Sequence, residues 1–471
     1  MKVKILTILF FIFLCLSSVG CGEKKQPAVL RVAIPYSDYV LDPNTNYYIN
    51  YLEKETGLDI EPVTVMQTGG EEYLDALFAA GADIDVVFFG DKFMIDEETA
   101  LRYAEAGKVY VSSNGTCYFP NYGAGSVGDC AQILWINYDW LNKLGLSIPT
   151  TVTEFEDILV AFKEQDPNGN GKKDEIPLIG STDDYAYNPV ELLLNSFVYN
   201  DPYNNRLFLS DVGKPESALK EPGFAEGIAY LNGLFKKGLI NERNITLSLD
   251  EMTEIINANS DMVGAFTSDS ISNVIYRMNP EILARYIHVA PLKSKRGANA
   301  LYRDVPPKVG AVINANSKHI DEALLLMETM LKEESSLIAR YGEKGVDWEE
   351  SDGLDVSIYG TISTIVTKNY IWDTPQNKHL NGIGPMMVDD KYLKGVTWNG
   401  VNSDAEYVDA RSQVSYEPFL PQNHFEVEYD EKLGIYMRDR ILSYILGKED
   451  INNTEKWDFF VKSVEDGRKV K

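Results

Sequence analysis

The sequence predicts an α/β protein of two domains, and three observations predict it. Short apolar segments alternate with amphipathic segments at helical spacing. The run from Ile84 to Phe89 reads as a strand buried on both faces, as in a parallel sheet. Even with a 20-residue leader set aside, a chain of 471 residues is too long for one core. At 44% hydrophobic and 11% aromatic the composition is globular, with no internal repeat or low-complexity tract.

The chain opens on an address. Lys2 and Lys4 form a basic start, and Ile5 to Leu16 is an apolar run of 12 residues. A helix needs about 20 such residues to span a bilayer, so residues 1–20 read as a secretory signal peptide. Ser18-Val19-Gly20-Cys21 resembles the lipobox of bacterial lipoproteins, with Ser18 where leucine is usual. The resemblance implies that Cys21 is acylated, palmitate being one such chain, and becomes the mature N-terminus. Ordinary secretion, with Cys21 a spare thiol, is the other reading. Residues 21–28 then form a polar tether off the membrane.

Strand-helix alternation follows. Leu30–Ile34 reads as a strand, Tyr47–Gly57 as a helix, Ile60–Met66 as a strand and Glu71–Ala80 as a helix. Ile84–Phe89 is the third strand. Each strand ends in polar or aromatic loop residues, where open α/β sheets gather ligands. Cys117 and Cys130, the only cysteines beyond Cys21, flank a loop rich in Gly, Asn and Tyr. An oxidising compartment permits a disulfide between them; two buried thiols are the alternative.

A second unit begins near Gln132, with a strand at Ile133–Asn137 and a helix at Asp139–Leu144. Thr151 or Thr153 caps the next helix, through Lys163, with Glu156 completing a capping box behind Thr153. Helices are expected near 189–199, 223–237, 248–258 and 270–278, with a strand at 262–267. Arg303–Lys308 carries two prolines and looks like a crossing. A strand at Val309–Ile313 and a helix at Asp321–Lys332 follow, the helix burying Ala323, Leu326, Met327 and Met330.

Between the helix ending at Lys163 and Ile176 lies the densest constellation of the chain, Asp166 to Glu175. Side-chain oxygens stand at relative positions 1, 3, 5, 9 and 10, with glycine at position 6. That is how one loop wraps a calcium ion, with alternate side chains inward and a sharp central turn. Asp166, Asn168, Asn170, Asp174 and Glu175 would give side-chain oxygens, and Lys172 its carbonyl. Pro177 stands where an EF-hand has its closing glutamate, so Glu175 must close the set. A solvated Asn/Gly/Asp turn is the plainer reading. The loop joins a helix to a strand at 176–180 rather than two helices, which suits a structural staple and not a sensor.

The stretch from Asn137 to Phe155, running through this loop into Ile176-Pro177-Leu178, resembles extracellular solute-binding proteins of ABC importers. Within them it is similar to the oligosaccharide-binding branch of lipoprotein-type sugar receptors and alginate-binding periplasmic proteins. Tyr341–Trp348 and Gln376-Asn377 resemble further landmarks of that family. The resemblance implies a two-lobed, periplasmic-binding-protein-like fold of class II, with hinged lobes and a ligand cleft between them. The chain would cross near 131–136, 303–310 and 370–385. Lobe one would then be 29–131 plus 311–375, and lobe two 132–310 plus 376–471. The implied protein is a monomer, lipid-anchored outside the cytoplasmic membrane. It would capture a carbohydrate and hand it to ABC transporter membrane subunits, with structural Ca2+ and no catalysis.

A sugar offers C–H faces and a rim of hydroxyls, so its site pairs flat aromatics with carboxylates and amides. The candidates are Tyr36, Tyr39 and Asp91 from lobe one and Tyr185, Tyr187 and Asp269 from lobe two. Trp372 and Trp398 would stack from the C-terminal region. The net charge of −27 becomes −29 when Lys2 and Lys4 leave with the leader, which disfavours nucleic acid and anionic lipid. An acidic sugar stays open if Arg277, Arg303 or Lys308 reaches the cleft. The four histidines form no metalloprotease pattern, and no nucleophile elbow or P-loop lysine occurs. Gly123–Gly128 spells a dinucleotide fingerprint but follows no strand. Paired acids are plentiful, so a glycoside-active enzyme is the second reading and a receptor for a peptide or other non-sugar solute the third.

Overall fold

The computed structural model describes residues 27–468 except 39, 66–68, 90–94, 111–131, 211, 259, 277–278, 301–307, 358–360, 370, 372–374, 381 and 399–429. Two sheets organise it. In chain order their strands are β1 (Val29–Pro35), β2 (Asp59–Val65), β3 (Val86–Phe88), β4 (Val109–Tyr110), β5 (Ile133–Asn137), β6 (Ala265–Ser268), β7 (Tyr286–Val289) and β8 (Ala311–Asn314). The first sheet runs β2-β1-β3-β8-β4 and the second β7-β5-β6.

Only half of the first sheet is parallel. β1 pairs parallel with β2 and β3, but β8 runs antiparallel to both β3 and β4. The second sheet is antiparallel throughout. The helix Tyr47–Thr56 covers the first sheet, with Asn46 accepting from the backbone N–H of Tyr48 and Ile49 at 2.9 and 3.2 Å. Gly57 ends it at φ 70°, the left-handed turn that glycine adopts without strain. Its buried Tyr48, Ile49 and Leu52 join Leu30, Val32 and Ile34 of β1 and Leu326, Met327 and Met330 of helix Ile320–Met330 in one apolar cluster.

The second sheet has its own core. Helix Val152–Glu164 buries Val152, Phe155, Ile158, Leu159 and Phe162, a stripe at helical spacing. Phe224, Ile228 and Leu231 of helix Pro222–Lys236 meet it, as do Met437, Ile441 and Tyr444 of helix Glu431–Ile445 and Phe460 and Val464 of helix Thr454–Gly467. The two sets of core residues are disjoint, and each defines a lobe.

Several local expectations are corrected. Thr151 is the cap of helix Val152–Glu164, and Glu154 closes the box by accepting from the Thr151 N–H at 3.1 Å. Glu156 instead pairs with Lys237. The helix expected at 189–199 ends at Leu194, because the Asn195 amide bonds to the backbone of Asn200 in both directions. The helix expected at 270–278 is a single 3-10 turn, Ile271–Asn273. There Asp269 accepts from Ser270 N and Asn273 Nδ2, both at 2.8 Å, which holds the backbone in a turn. Residues 176–180 form bridges rather than a strand: Ile176 N donates to Met262 O, and Gly264 N to Ile176 O at 2.9 Å. A Cβ on Gly264 would sit 2.5 Å from the Phe162 ring, so only glycine lets that segment approach.

Of the expected passages between lobes, one differs. The described residues are in the first lobe through Tyr110 and in the second from Gln132, where the second was expected to begin. The chain returns between Ala300 and Lys308. Leu380, Ile383, Met386, Val388 and Val396 pack in the first lobe's core, although 376–471 was expected in the second. A three-stranded sheet of Trp348–Glu350, Ile365–Thr367 and Val396–Trp398 holds them there. Leu380 to Val396 thus belong with the first core, and the described residues from Leu433 onward with the second. Among the described residues no helix is long and apolar enough to cross a membrane.

Candidate functional site

Gln132, where the chain enters lobe two, donates its amide to the carbonyls of Tyr185 and Asn188. This places the 181–187 turn beside the end of β6, because Ile133 pairs with Ser268 in the ladder. Two of the expected ligand residues meet there. Asn273 Nδ2 donates to the Asp269 carboxylate at 2.8 Å, and the Tyr187 hydroxyl stands close enough to Asp269 to feel its charge. Burial first, then the negative charges of Asp269 and Asp184, push the Tyr187 hydroxyl up to about 12. The result is a half-buried phenol beside a carboxylate bonded to an amide, a row with oxygens able to accept from a ligand's hydroxyls.

Tyr185 lies beside this row but is buried, at 7% exposure. Its ring meets that of Tyr203 edge-on, with centroids 4.5 Å apart and planes at 89°. Tyr203 donates to Asp184 Oδ2 at 2.7 Å, and Asp184 Oδ1 accepts from Ala186 N at 2.9 Å. Sequence reasoning passed over Tyr203, Asp184, Asn273 and Gln132. Nothing in the composition of residues 200–206 announces a ring held in place.

Beneath Tyr203 is a buried ion pair. Arg206 forks onto Glu191 with two bonds at 2.7 and 2.8 Å, both side chains nearly inaccessible. Burial pushes the Glu191 carboxyl up, but Arg206 and Asn200 outweigh it and hold the group below the usual carboxylate range. Asn205 and Arg206 adopt φ of 51° and 59°, and Arg468 donates to the Asn205 carbonyl at 2.7 Å.

On lobe one, Tyr36 follows β1 at 51% exposure and donates to Asp38 at 2.8 Å. Tyr39, Asp91 and Trp372 lie outside the described residues, as do Cys21, Cys117, Cys130, Arg277 and Arg303. Trp398 ends a strand, paired with Thr367. The structure thus brings together Tyr185, Tyr187 and Asp269 and sets Tyr36 on the other lobe.

The 166–175 loop folds back on itself. Asp166, at φ 48°, accepts from the N–H groups of Asn170 and Gly171 at 3.1 and 3.0 Å. Asn168 and Asn170 donate their amides to Asp174 at 3.2 and 3.0 Å. Among the described residues no three His, Cys, Asp or Glu side chains converge as a metal set. One feature of the loop nevertheless fits a cation. Both carboxylate oxygens of Glu175 are shielded from water and make no hydrogen bond among the described residues. Burial, then Asp166 and Asp174, push that carboxyl up. The Asn168 and Asn170 amides both face Asp174 Oδ1, so turning them over would gather three side-chain oxygens there.

Comparison with known proteins gives the context. The model of the family described as bacterial extracellular solute-binding protein matches residues 40–336. The chain is 29% identical over 257 residues to the fructooligosaccharide ABC transporter substrate-binding protein FusA of Streptococcus pneumoniae, covering 47% of this chain and 46% of that protein. It is 22% identical over 234 residues to lipoprotein LipO of Bacillus subtilis, covering 47% and 45%. The matched stretch thus spans about half the length of either relative. Among solved structures, FusA in complex with kestose aligns at a TM-score of 0.57 and 19% identity, over 93% of this chain and 96% of that one. An HMO-binding, ABC-transporter associated solute-binding protein from Bifidobacterium longum infantis aligns at 0.63 and 19%, over 93% and 96%. These likenesses establish the fold, a two-lobed α/β architecture. With the family model matching well over half of its length, this chain belongs to the bacterial extracellular solute-binding proteins.

Proposed function

We propose that the chain is the substrate-binding lipoprotein of an ABC importer. It captures a carbohydrate, most simply an oligosaccharide, outside the cytoplasmic membrane and delivers it to the membrane subunits. The carrying observation is the Tyr187–Asp269–Asn273 row at the lobe-two rim, beside the point where the chain passes between lobes. In a family of solute receptors, a phenol, a carboxylate and an amide in register suit a ring edged with hydroxyls. Tyr36, with Tyr39, Asp91, Trp372 and Trp398, would meet the ligand from lobe one as the lobes close. Lobe one is then 29–110 with 308–398, and lobe two 132–300 with 430–468.

Acylated Cys21 anchors the monomeric receptor, in keeping with the leader and the lipoprotein relative. Asp166, Asn168, Asn170, Lys172, Asp174 and Glu175 would hold calcium as a structural ion. The orphaned Glu175 carboxylate supports this, and so does the S. pneumoniae relative, whose EF-hand mutant aligns with this chain. The receptor binds without turnover.

The test is calorimetry of the mature chain, with Cys21→Ser for solubility, against neutral fructo-, malto-, xylo- and manno-oligosaccharides. Tyr187→Phe and Asp269→Asn each weaken the bound ligand roughly ten-fold or more, the cost of removing a charge-linked hydrogen bond. Wild-type affinity for none of the panel, or cleavage of any glycan seen by mass spectrometry, overturns the reading.

A further inference from the structure

Next to the Tyr187–Asp269 row is a cavity that, of the expected ligand residues, only the buried Tyr185 lines. It lies between the 182–185 turn, the 202–206 loop and helix Glu431–Ile445, and its volume is about 150 Å3, smaller than a whole oligosaccharide cleft and on the scale of a single sugar unit. Asp183, Asp184, Tyr203, Ile435 and Arg438 line it. Tyr203 keeps 39% of its surface exposed and Ile435 41%, although the loop beneath Tyr203 is among the most firmly pinned parts of the chain.

The pinning comes from all sides. Arg206 forks onto Glu191, Arg468 holds the Asn205 carbonyl, and Asp201 accepts from Tyr203 N at 2.9 Å. Tyr203 in turn bonds to Asp184, and Asp183 Oδ2 accepts from Leu249 N at 2.8 Å. A buried ion pair held in left-handed backbone is a costly way to place one half-exposed tyrosine unless its position matters. The wall it makes is preorganised, so a ligand meeting it loses little to ordering the protein.

We propose that this cavity is a second sugar subsite, continuous with the Tyr187–Asp269 row through the shared 184–187 turn, and that it takes a neutral sugar unit. The inference rests on the carbohydrate reading above and adds to it a minimum ligand length and a charge. Tyr203 offers a ring to the sugar's C–H surface, Asp183 and Asp184 accept from its hydroxyls, and Arg438 donates from the facing helix. Arg206 and Glu191 neutralise each other, leaving two carboxylates against the single guanidinium of Arg438, whose side chain is 46% exposed. A uronate set there would face both aspartates.

The experiment is calorimetry of the mature chain with neutral oligosaccharides of two to five units, drawn from whichever series the wild type binds. A matched oligouronide series runs alongside. Tyr203→Ala is expected to weaken the longer ligands by five- to ten-fold and leave the shortest bound ligand within two-fold. Arg438→Met lies on a solvent-facing helix surface and guards against a folding artefact. It should flatten the same length dependence while the melting temperature stays put. Equal loss at every length in both variants, or uronides bound as tightly as neutral chains, overturns the subsite alone. A wild type that binds no member of any series overturns the carbohydrate reading and the subsite together.

Discussion

Glu175 carries opposite consequences in the presence and absence of a cation. Without one, its folded carboxyl ionises less readily than an unfolded one, because of burial and then of Asp166 and Asp174. The ionised group therefore destabilises the fold as pH rises above the ordinary carboxylate value, and the penalty disappears below it. With calcium bound, the ionised form is the favoured one and the sign reverses. At pH 7 in chelator, Glu175→Gln should raise the melting temperature; in excess calcium it should lower it. Each kcal/mol moves it about 2–4 °C in lobes of this size. A shift of the same sign in both buffers would remove Glu175 from the ligand set. The loop was legible in sequence because its oxygens recur at fixed spacing. Tyr187 and Asp269 were legible as residue types beside strand ends, whereas their nearness depends on a β5–β6 ladder that joins residues far apart in the chain. Tyr203 was not legible, since it is placed by a buried Arg206–Glu191 pair that no local pattern encodes.

At the scale of elements, helix Val152–Glu164 leads directly into that loop, and its first turn depends on Thr151. Thr151→Ala should cost about 1 kcal/mol by removing the bond to Glu154 N, while Thr153→Ala, an exposed second helical residue, should cost a few tenths. Chemical denaturation of the two variants decides it; equal losses would leave the box without a special role. Glu191→Gln should cost far more, about 3–5 kcal/mol, because it strands the Arg206 charge in the core. Elements with clean periodicity were legible to within a residue or two, as with Tyr47–Thr56 and Ile320–Met330. Those that failed were decided by side chains bonding to nearby backbone, as at Asn195 and Asp269. The apolar residues between Leu380 and Val396 come in pieces too short to carry a period, so their return to the first core could not be read.

At the scale of the molecule, two separately packed cores with three passages between them fit a hinged receptor. A saturating sugar should shrink the radius of gyration in solution scattering. It should also stabilise the closed form by about 2.7 kcal/mol at a hundred times Kd. A ligand that binds with no change in scattering would place its site on one lobe alone.

The same interlaced connectivity governs how the chain reaches its native state. Lobe one needs Val396 to complete its core, and lobe two needs Phe460 and Val464, each hundreds of residues from the first strand of its own sheet. Neither core can therefore close until a long stretch of chain has been made. Closing such distant contacts makes folding slow and leaves apolar surface open in the interim. A nascent chain in that condition is a natural client for holding factors. A truncation that spares every ligand residue but removes the last helix would yield aggregates rather than a weakened receptor.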